Sequence, residues 1–308
     1  MSRRTGLAAA TLVAIAPWRA NARAQDAIAE RAECAKRAYA EKRLGDARRC
    51  ITDIIDMLRD SPEEASVWYE RRGQVNVDMK AFRDALDDFK AAEACYPPDS
   101  NYVSLGLLAN RGLALEGLSM WREADVEYTR ALAFAESAGY TAPYLLNSRG
   151  NVRGSLGRFG DAAEDFDHAA EVFQRERNLA GAIYAASNAA LSRIEATGDV
   201  ERGERELRIV ARRAAGSIDA RAALAALYWG MGQPEKAEEN WEWCCTQINS
   251  GVLPGSNTFI DGCGQYSDMD WLGRIRRWPP SMVARMDAFL KLRPPIQPQP
   301  PTAPERDR

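Results

Sequence analysis

Cysteine offers most of the reactive chemistry in this sequence, because the 308 residues contain six cysteines and a single histidine. The adjacent residues Cys244 and Cys245 suggest a thiol oxidoreductase as one interpretation. No two cysteines have the Cys-x-x-Cys spacing of thioredoxin-like and zinc sites, so this interpretation is the weaker one. Disulfide bonds are favoured instead, and Cys263 is expected to pair with Cys245 or with Cys244.

A second disulfide bond is predicted near the N-terminus. Cys34 and Cys50 lie at equal distances from Lys42, so they would face each other in a helical hairpin that turns at this point. Such a bond would close a short loop and stabilise the first hairpin. The remaining cysteine, Cys95, is expected to stay a thiol.

The single histidine, His168, limits the catalytic and metal-binding chemistry of the chain. Ser-His-Asp or Cys-His catalysis and histidine-based metal sites would all depend on it. It lies between Asp165, Asp167 and Glu171, a pattern typical of an exposed helix face. The formal charge of −3 argues against nucleic-acid binding, which rests on phosphate neutralisation. We therefore predict a protein that is not an enzyme and has no metal or cofactor.

The first 24 residues have the pattern of an export signal. Arg3 and Arg4 precede the apolar run Gly6–Ala16, which is too short to span a bilayer. Ala22-Arg23-Ala24 supplies small residues at a cleavage spacing. The adjacent arginines resemble a twin-arginine signal. Residues 1–24 are therefore predicted to be a signal peptide of this type.

Most of the remaining sequence repeats one pattern of small and bulky residues. A small residue is followed 12 positions later by a second, then by a bulky residue 4 further on and a small one 3 beyond. Six copies with a near-regular period indicate a repeat array. Their first markers are Ala35, Gly73, Gly112, Gly150, Leu191 and Ala225, and their second markers are Ala47, Ala85, Ala124, Ala162, Gly203 and Ala237.

Each copy predicts two helices joined by a short turn, and one such pair cannot bury its apolar face alone, so neighbours stack into a solenoid. Segments such as Val67–Gly73, Phe82–Phe89 and Phe159–Phe166 resemble the tetratricopeptide repeat. The resemblance covers roughly residues 30–250. It implies an all-α, right-handed superhelical solenoid of five to six helical hairpins with a C-terminal capping helix.

Segments near the C-terminus carry a narrower resemblance. Ala222–Gly232, Ala237–Trp241, Tyr266–Trp271 and Ile275–Val283 are together similar to the lumenal tetratricopeptide proteins of plants, algae and cyanobacteria. The most specific element is Arg276-Arg277-Trp278-Pro279-Pro280. The resemblance implies a location in the thylakoid lumen, for example that of a chloroplast. It also implies a scaffold that assists assembly or maintenance of photosynthetic membrane complexes.

Three alternatives to this function stay open. One is a stoichiometric structural subunit on the lumenal face of a photosystem. Another is a scaffold in a bacterial periplasm, and the third is the thiol oxidoreductase at Cys244 and Cys245. The partners expected from the resemblance are proteins, either photosystem subunits or assembly intermediates, and any membrane association would be peripheral and go through them.

The predicted domain organisation has four parts. These are a signal peptide (1–24), a solenoid (25–250), a loop with a capping segment (251–293) and a proline-rich disordered tail (294–308). Pro279-Pro280-Ser281 is expected to open the capping helix, which would end near Leu292.

The candidate binding surface consists of first-helix residues that point away from the packing positions, because solenoids bind partners on their concave side. These residues are polar and rich in amides, which offer both a donor and an acceptor to a peptide backbone. They are Arg71, Gln74, Asn110, Glu116, Tyr144, Asn147, Asn151, Asn188 and Ser192. Glu70 and Gln74 stand where a carboxylate clamp would need a base and an asparagine, so capture of a C-terminal carboxylate is not expected.

Aromatic and basic residues near the C-terminus form a secondary docking candidate, because Trp and Arg are typical interface anchors. The candidate residues are Trp271, Arg277 and Trp278. The alternative is that these rings pack the final helix against the last repeat.

Three arginines precede the small residue of a repeat, namely Arg72, Arg111 and Arg149. We expect them to pair with acids of the adjoining repeat rather than with an acidic partner.

Overall fold

The computed structural model describes residues 22–96, 104–214, 217–249 and 262–292. All regular structure in these ranges is helical. The predicted signal peptide up to residue 21, the loop at 251–261 and the tail from 294 onward lie outside the described residues.

The chain divides into two compact units, the first ending at Ala189 and the second beginning at Ala190. The first unit contains four helical hairpins and the start of α9 (Leu179–Thr197). Its hairpins are α1 (Ala22–Ala40) with α2 (Leu44–Met57), α3 (Pro62–Asp78) with α4 (Phe82–Ala94), α5 (Leu105–Gly117) with α6 (Trp121–Ser137), and α7 (Pro143–Ser155) with α8 (Phe159–Arg175).

The second unit contains the end of α9 and the last helices of the described chain. They are α10 (Val200–Arg213), α11 (Ile218–Gly230), α12 (Pro234–Asn249), α13 (Gly262–Ser267), a π-helical turn (Trp271–Ile275) and α14 (Pro280–Leu292). The predicted capping helix is confirmed, since α14 spans the expected residues and packs on α11. Phe289 of α14 lies 5.6 Å from the ring of Trp229 and 5.8 Å from that of Trp241.

The repeat spacing marks the interface between paired helices. The second marker of every copy is the fourth residue of a second helix, and all six markers are buried. The bulky residue four positions later is buried as well: Ile51, Phe89, Tyr128, Phe166, Leu207 and Trp241. The prediction of paired helices from the small-residue spacing is therefore confirmed.

An aromatic ring lies directly on the first-helix glycine in three hairpins. A Cβ atom on Gly112 would stand 2.7 Å from Cε1 of Tyr128, and one on Gly150 would stand 2.9 Å from Cε1 of Phe166. Gly73 has the same relation to Phe89. These separations leave no space for a methyl group, so close helix approach is the reason for glycine here.

Arginine and acid side chains join the same two helices beside each glycine and ring. The arginine before the glycine pairs with the acid before the ring, 16 residues later, and the shortest N–O distance is 2.7 Å in every case. The pairs are Arg72–Asp88, Arg111–Glu127 and Arg149–Asp165. The predicted pairing with the adjoining repeat is wrong for these acids, because each belongs to the same hairpin as its arginine.

The arginines also reach the preceding hairpin. Arg72 and Arg149 donate hydrogen bonds at 3.2 Å to the hydroxyls of Thr52 and Thr129, respectively. For Arg111 the predicted pairing with an acid of the adjoining repeat is confirmed, because it pairs with Glu93 of the preceding second helix at 2.6 Å. Each guanidinium group therefore connects three helices.

One left-handed residue makes each turn inside a hairpin, two positions before the second helix. The six residues are Lys42, Lys80, Ser119, Gly157, Gly198 and Gly232. The cysteine spacing predicted that the first hairpin turns at Lys42, and the turn lies there, whereas the nearest glycine, Gly45, lies inside α2. Lys42 takes the positive φ instead, at a cost of about 1 kcal/mol relative to glycine.

The disulfide prediction for the first hairpin is confirmed. A Cys34–Cys50 bond joins α1 to α2 across a Cα–Cα distance of 6.2 Å. Cys95 is a free thiol, as expected.

The adjacent cysteines of α12 do not form a dithiol. Cys245 is disulfide-bonded, whereas Cys244 is a buried free thiol, so the predicted alternative pairing of Cys263 with Cys244 is wrong. The side chain of Cys263 lies outside the described residues. Burial raises the pKa of Cys244 to about 12, which is opposite to the low pKa of a reactive thiol. The structure therefore does not support the thiol oxidoreductase.

The first stability prediction concerns the glycine under the ring. Gly112→Ala should lower the free energy of unfolding by about 2 kcal/mol, because the methyl group would overlap Tyr128. The matched control is Gly160→Ala in α8, where a Cβ atom would meet nothing within 4 Å. Urea unfolding should show the control to be neutral or slightly stabilised. Equal effects of the two substitutions would contradict the packing role of Gly112.

A second stability prediction concerns the arginine–acid pairs. Arg72→Met should cost about 3 kcal/mol at pH 7, because it leaves the buried carboxylate of Asp88 without its cation. Desolvation already raises the pKa of Asp88, so the loss should shrink as the pH falls and this group takes up a proton. Thermal unfolding across pH 4 to 7 measures both effects, with exposed Arg83→Met in α4 as the control. A pH-independent loss equal to that of the control would rule out the pairing.

Candidate functional site

The first helices of the first unit form one continuous surface. α3 contacts α5 and α5 contacts α7, in addition to their contacts with the second helices. We call the side of α3, α5 and α7 that is turned away from the second helices the first-helix face. Because the hairpins repeat, residues at equal distances from the glycine form rows across this face. One row, three residues before the glycine, is Glu70, Ala109 and Asn147; the next row, one residue after it, is Gln74, Leu113 and Asn151.

The amides of α7 have few hydrogen-bond partners on this face. Oδ1 of Asn147 is shielded from solvent and has no hydrogen-bond donor. Asn151 follows one helical turn later, is half-buried, and its side chain makes no hydrogen bond within the described chain. Residues four apart lie on the same side of a helix, so the two amides can contact one ligand together.

Other predicted residues on this face already have neighbours. The guanidinium of Arg71 lies 4.5 Å above the ring of Trp68. Gln74 donates to the hydroxyl of Tyr39 at 3.4 Å. Asn110 is half-buried on α5.

Two further predicted residues accept hydrogen bonds. Glu116 accepts one from the hydroxyl of Tyr128 at 2.7 Å. The hydroxyl of Tyr144 accepts one from the amide of Asn178 at 2.9 Å, while its side chain stays largely exposed. Tyr144 also meets Phe173 edge to face, with ring centroids 4.8 Å apart.

The prediction that Asn188 and Ser192 belong to the binding surface is wrong. Asn188, in the first unit, is 6% exposed, and Ser192, in the second, is 5% exposed. α9 is rich in alanine, and its buried Ala189 and Ala190 allow close packing around this helix. Neither side chain is therefore accessible to a partner.

The carboxylates of α3 were not predicted as binding residues. Glu70 accepts a hydrogen bond from the hydroxyl of Ser104 at 2.7 Å, and Asp78 accepts one from Tyr39 at 2.5 Å. Burial raises the pKa of Glu70, and burial with the bond to Asp78 raises the pKa of Tyr39 to about 12. The register could have identified Glu70, which precedes its glycine by the same three residues as Asn147.

The second unit uses its C-terminal aromatic residues for packing. Trp278 is 3% exposed, and its indole N–H donates to Asp219 of α11 at 3.2 Å. Arg276 pairs with the same carboxylate, and the hydroxyl of Tyr266 donates to it at 3.2 Å. For Trp278 the packing alternative is therefore confirmed rather than the docking role, because this side chain holds the chain before α14 to α11.

The two remaining docking candidates are half-buried. Trp271 contacts Tyr266 with ring centroids 5.4 Å apart. Arg277 adopts a positive φ of 61° in the link to α14. Their positions support a role in shaping this link.

Other kinds of site find little support among the described residues. His168 is exposed on α8, as the sequence predicted. In the described ranges, no group of three or more His, Cys, Asp or Glu residues is arranged to hold a metal ion. Nor is any helix there sufficiently long and apolar to cross a bilayer.

Comparison with known proteins identifies the fold. No protein-family model and no curated protein matches this chain. Among solved structures, a tetratricopeptide repeat protein from Parabacteroides merdae ATCC 43184 has a TM-score of 0.58 at 16% sequence identity, covering 86% of this chain and 91% of that one.

Two other solved structures show a weaker likeness. YrrB, a tetratricopeptide protein with an unusual peptide-binding site, has a TM-score of 0.48 at 17% identity and covers 62% of this chain and 90% of its own. BtubC from P. vanneervenii has a TM-score of 0.47 at 16% identity, covering 75% and 94%. The fold assignment rests on the Parabacteroides merdae structure, whose TM-score is above 0.5. Together with the repeat register, it shows that this chain has the all-α tetratricopeptide-type fold that its sequence predicts.

Proposed function

We propose that this chain is a non-catalytic protein-binding scaffold whose partner binds along the first-helix face. The observation that carries the proposal is the pair of half-buried amides on this face, Asn147, whose Oδ1 has no donor, and Asn151, whose side chain makes no hydrogen bond within the described chain. Leaving such an atom unsatisfied costs about 1–3 kcal/mol. An extended peptide segment offers a backbone N–H group that would satisfy it.

The neighbouring amide completes the recognition of a peptide backbone. Asn151 lies one turn after Asn147 and carries both a donor and an acceptor. A peptide strand that donates to Asn147 can exchange hydrogen bonds with Asn151 at the same time. Such contacts read the backbone rather than a particular side chain, which suits a scaffold that binds an extended segment.

We further propose that the scaffold works in an oxidising compartment after export. The predicted signal peptide and the Cys34–Cys50 bond both support this location. The narrower proposal is the thylakoid lumen, where the scaffold would assist assembly or maintenance of photosynthetic membrane complexes; it is supported by the resemblance of Ile275–Val283. The bacterial periplasm is the alternative compartment.

The peptide-binding proposal predicts where crosslinks form. A photoreactive residue at Asn151 should crosslink to a protein partner in a native extract, whereas one at exposed His168 on α8 should not. In a second experiment, a tyrosine-directed crosslinker joins Tyr144 to the partner. Asn147→Ala should reduce the yield of this crosslink, because the acceptor of Asn147 is lost. Mass spectrometry of the crosslinked peptides measures the outcome. Equal yields at Asn151 and His168 would contradict the proposal.

The role in complex assembly has its own test. An assembly factor should co-migrate on native gels with intermediates, whereas a stoichiometric photosystem subunit would co-migrate with the mature complex. Recovery from a periplasmic fraction without photosynthetic complexes would favour the periplasmic scaffold.

The proposed compartment predicts the redox state of the first hairpin. In a native extract, Cys34 and Cys50 should resist alkylation until a reductant is added. The double substitution Cys34→Ser and Cys50→Ser should lower the free energy of unfolding by about 3 kcal/mol, because the unfolded chain regains the freedom of a short loop. Cys95→Ser is the control. Free thiols at both positions in the native extract would argue against an exported, oxidising compartment.

A further inference from the structure

We propose that Glu70 and Asp78 of α3 bind cationic side chains of the partner, so that the first-helix face selects an extended segment containing arginine or lysine. This inference rests on the proposed function and assigns the chemistry of the bound segment.

The partners of these two carboxylates set them apart from the other acids of the hairpins. The second-helix acid of each of three hairpins is paired with a guanidinium, as in Arg72–Asp88. Glu70 and Asp78 instead accept hydrogen bonds from neutral hydroxyls, those of Ser104 and Tyr39. A hydroxyl orients a carboxylate but leaves its negative charge in place.

One oxygen of Glu70 is left without a hydrogen-bond donor by this arrangement. The hydroxyl of Ser104 donates its single proton to Oε2 of Glu70 and accepts the backbone N–H of Leu107 at the start of α5. Oε1 of Glu70 is shielded from solvent and has no donor. A cationic N–H group from a ligand would complete the site with a charge-assisted hydrogen bond.

Two cations of α3 lie near these carboxylates in sequence. Arg72 is bonded to Asp88, on the side of α3 that faces α4. The guanidinium of Arg71 lies over Trp68 and acts on the charge of Glu70 without forming an ion pair with it within the described residues. Glu70 and exposed Asp78 therefore keep carboxylate oxygens that no guanidinium binds, which is complementary to a basic segment.

The spacing of the two carboxylates suggests the spacing of the cations. Glu70, Gln74 and Asp78 follow at intervals of four residues, so they lie along one side of α3. Eight residues of helix rise about 12 Å. A step of four residues along an extended chain covers about 13 Å, and the side chains at the two ends of this step point to the same side. A segment with basic residues four positions apart would contact both carboxylates.

The charge on Glu70 has a cost in the free protein. Burial raises the pKa of this group, because desolvation disfavours the ionised form. If the charge of Glu70 serves binding at the expense of stability, a chain with the neutral isostere glutamine at this position should fold at least as well. Glu70→Gln should therefore leave the midpoint of thermal unfolding unchanged or raised.

Binding of synthetic peptides to the full chain tests the proposal. The probes are fluorescent Gly/Ser/Thr peptides of one length that carry two arginines four positions apart, two glutamates at the same positions, or no charge. Fluorescence anisotropy should show binding of the arginine peptide, weakened by salt. Glu70→Gln should raise its Kd about tenfold or more, and Asp78→Asn should weaken it as well. Asp87→Asn, an equal charge change on the exposed side of α4, should have little effect.

Three results would overturn the inference, and they differ in what they mean for the scaffold. If the neutral peptide binds as tightly as the arginine peptide and only Asn147→Ala weakens binding, the cationic preference is wrong and the scaffold stands. If no peptide binds and the crosslinks at Asn151 are also absent, the proposed function fails with it. A large drop in the unfolding temperature of Glu70→Gln would assign Glu70 a structural role instead.

Discussion

The structure of the first unit depends on the close approach of two helices at a glycine. In three hairpins the ring of the second helix occupies the space where a first-helix side chain would be, as Tyr128 does over Gly112. The residues directly before the glycine and the ring form an ion pair, so burial and charge act on the same two helices. Because each arginine also bonds to the preceding second helix, this contact sets both the hairpin and its junction with the previous one.

This arrangement determines which polar groups are available for binding. Arg72, Arg111 and Arg149 are used on the side that faces the second helices, so the first-helix face retains acceptors that none of these three cations binds. Asn147 and Glu70 occupy equivalent positions, and each has a shielded oxygen without a donor. A ligand that supplies N–H groups, and positive charge near Glu70, suits this surface better than one that supplies carboxylates.

The sequence predicted the repeat register, the Cys34–Cys50 bond and the capping helix. Each of these depends on residues close together in the chain: small residues at fixed spacing, two cysteines around one turn, and Pro-Pro-Ser at a helix start. The sequence could not predict which polar residues are covered by neighbouring chain. Asn188 has the same register as Asn147, yet the alanine-rich α9 around it is closely packed and the side chain is buried. Trp278 resembled an interface anchor, but Asp219, distant in sequence, binds its indole. Glu70 was missed as a binding residue because its open oxygen depends on Ser104, a contact between helices.

The contact between a partner segment and the amides of α7 can be observed directly. Selective labelling of asparagine with nitrogen-15 allows the side-chain amides to be followed by NMR during titration with the crosslinked partner segment as a synthetic peptide. We expect shifts for Asn147 and Asn151, with no change for Asn240, whose amide is bonded to the carbonyl of Lys236 in the second unit. Unchanged signals for Asn147 and Asn151 at saturating peptide would contradict it.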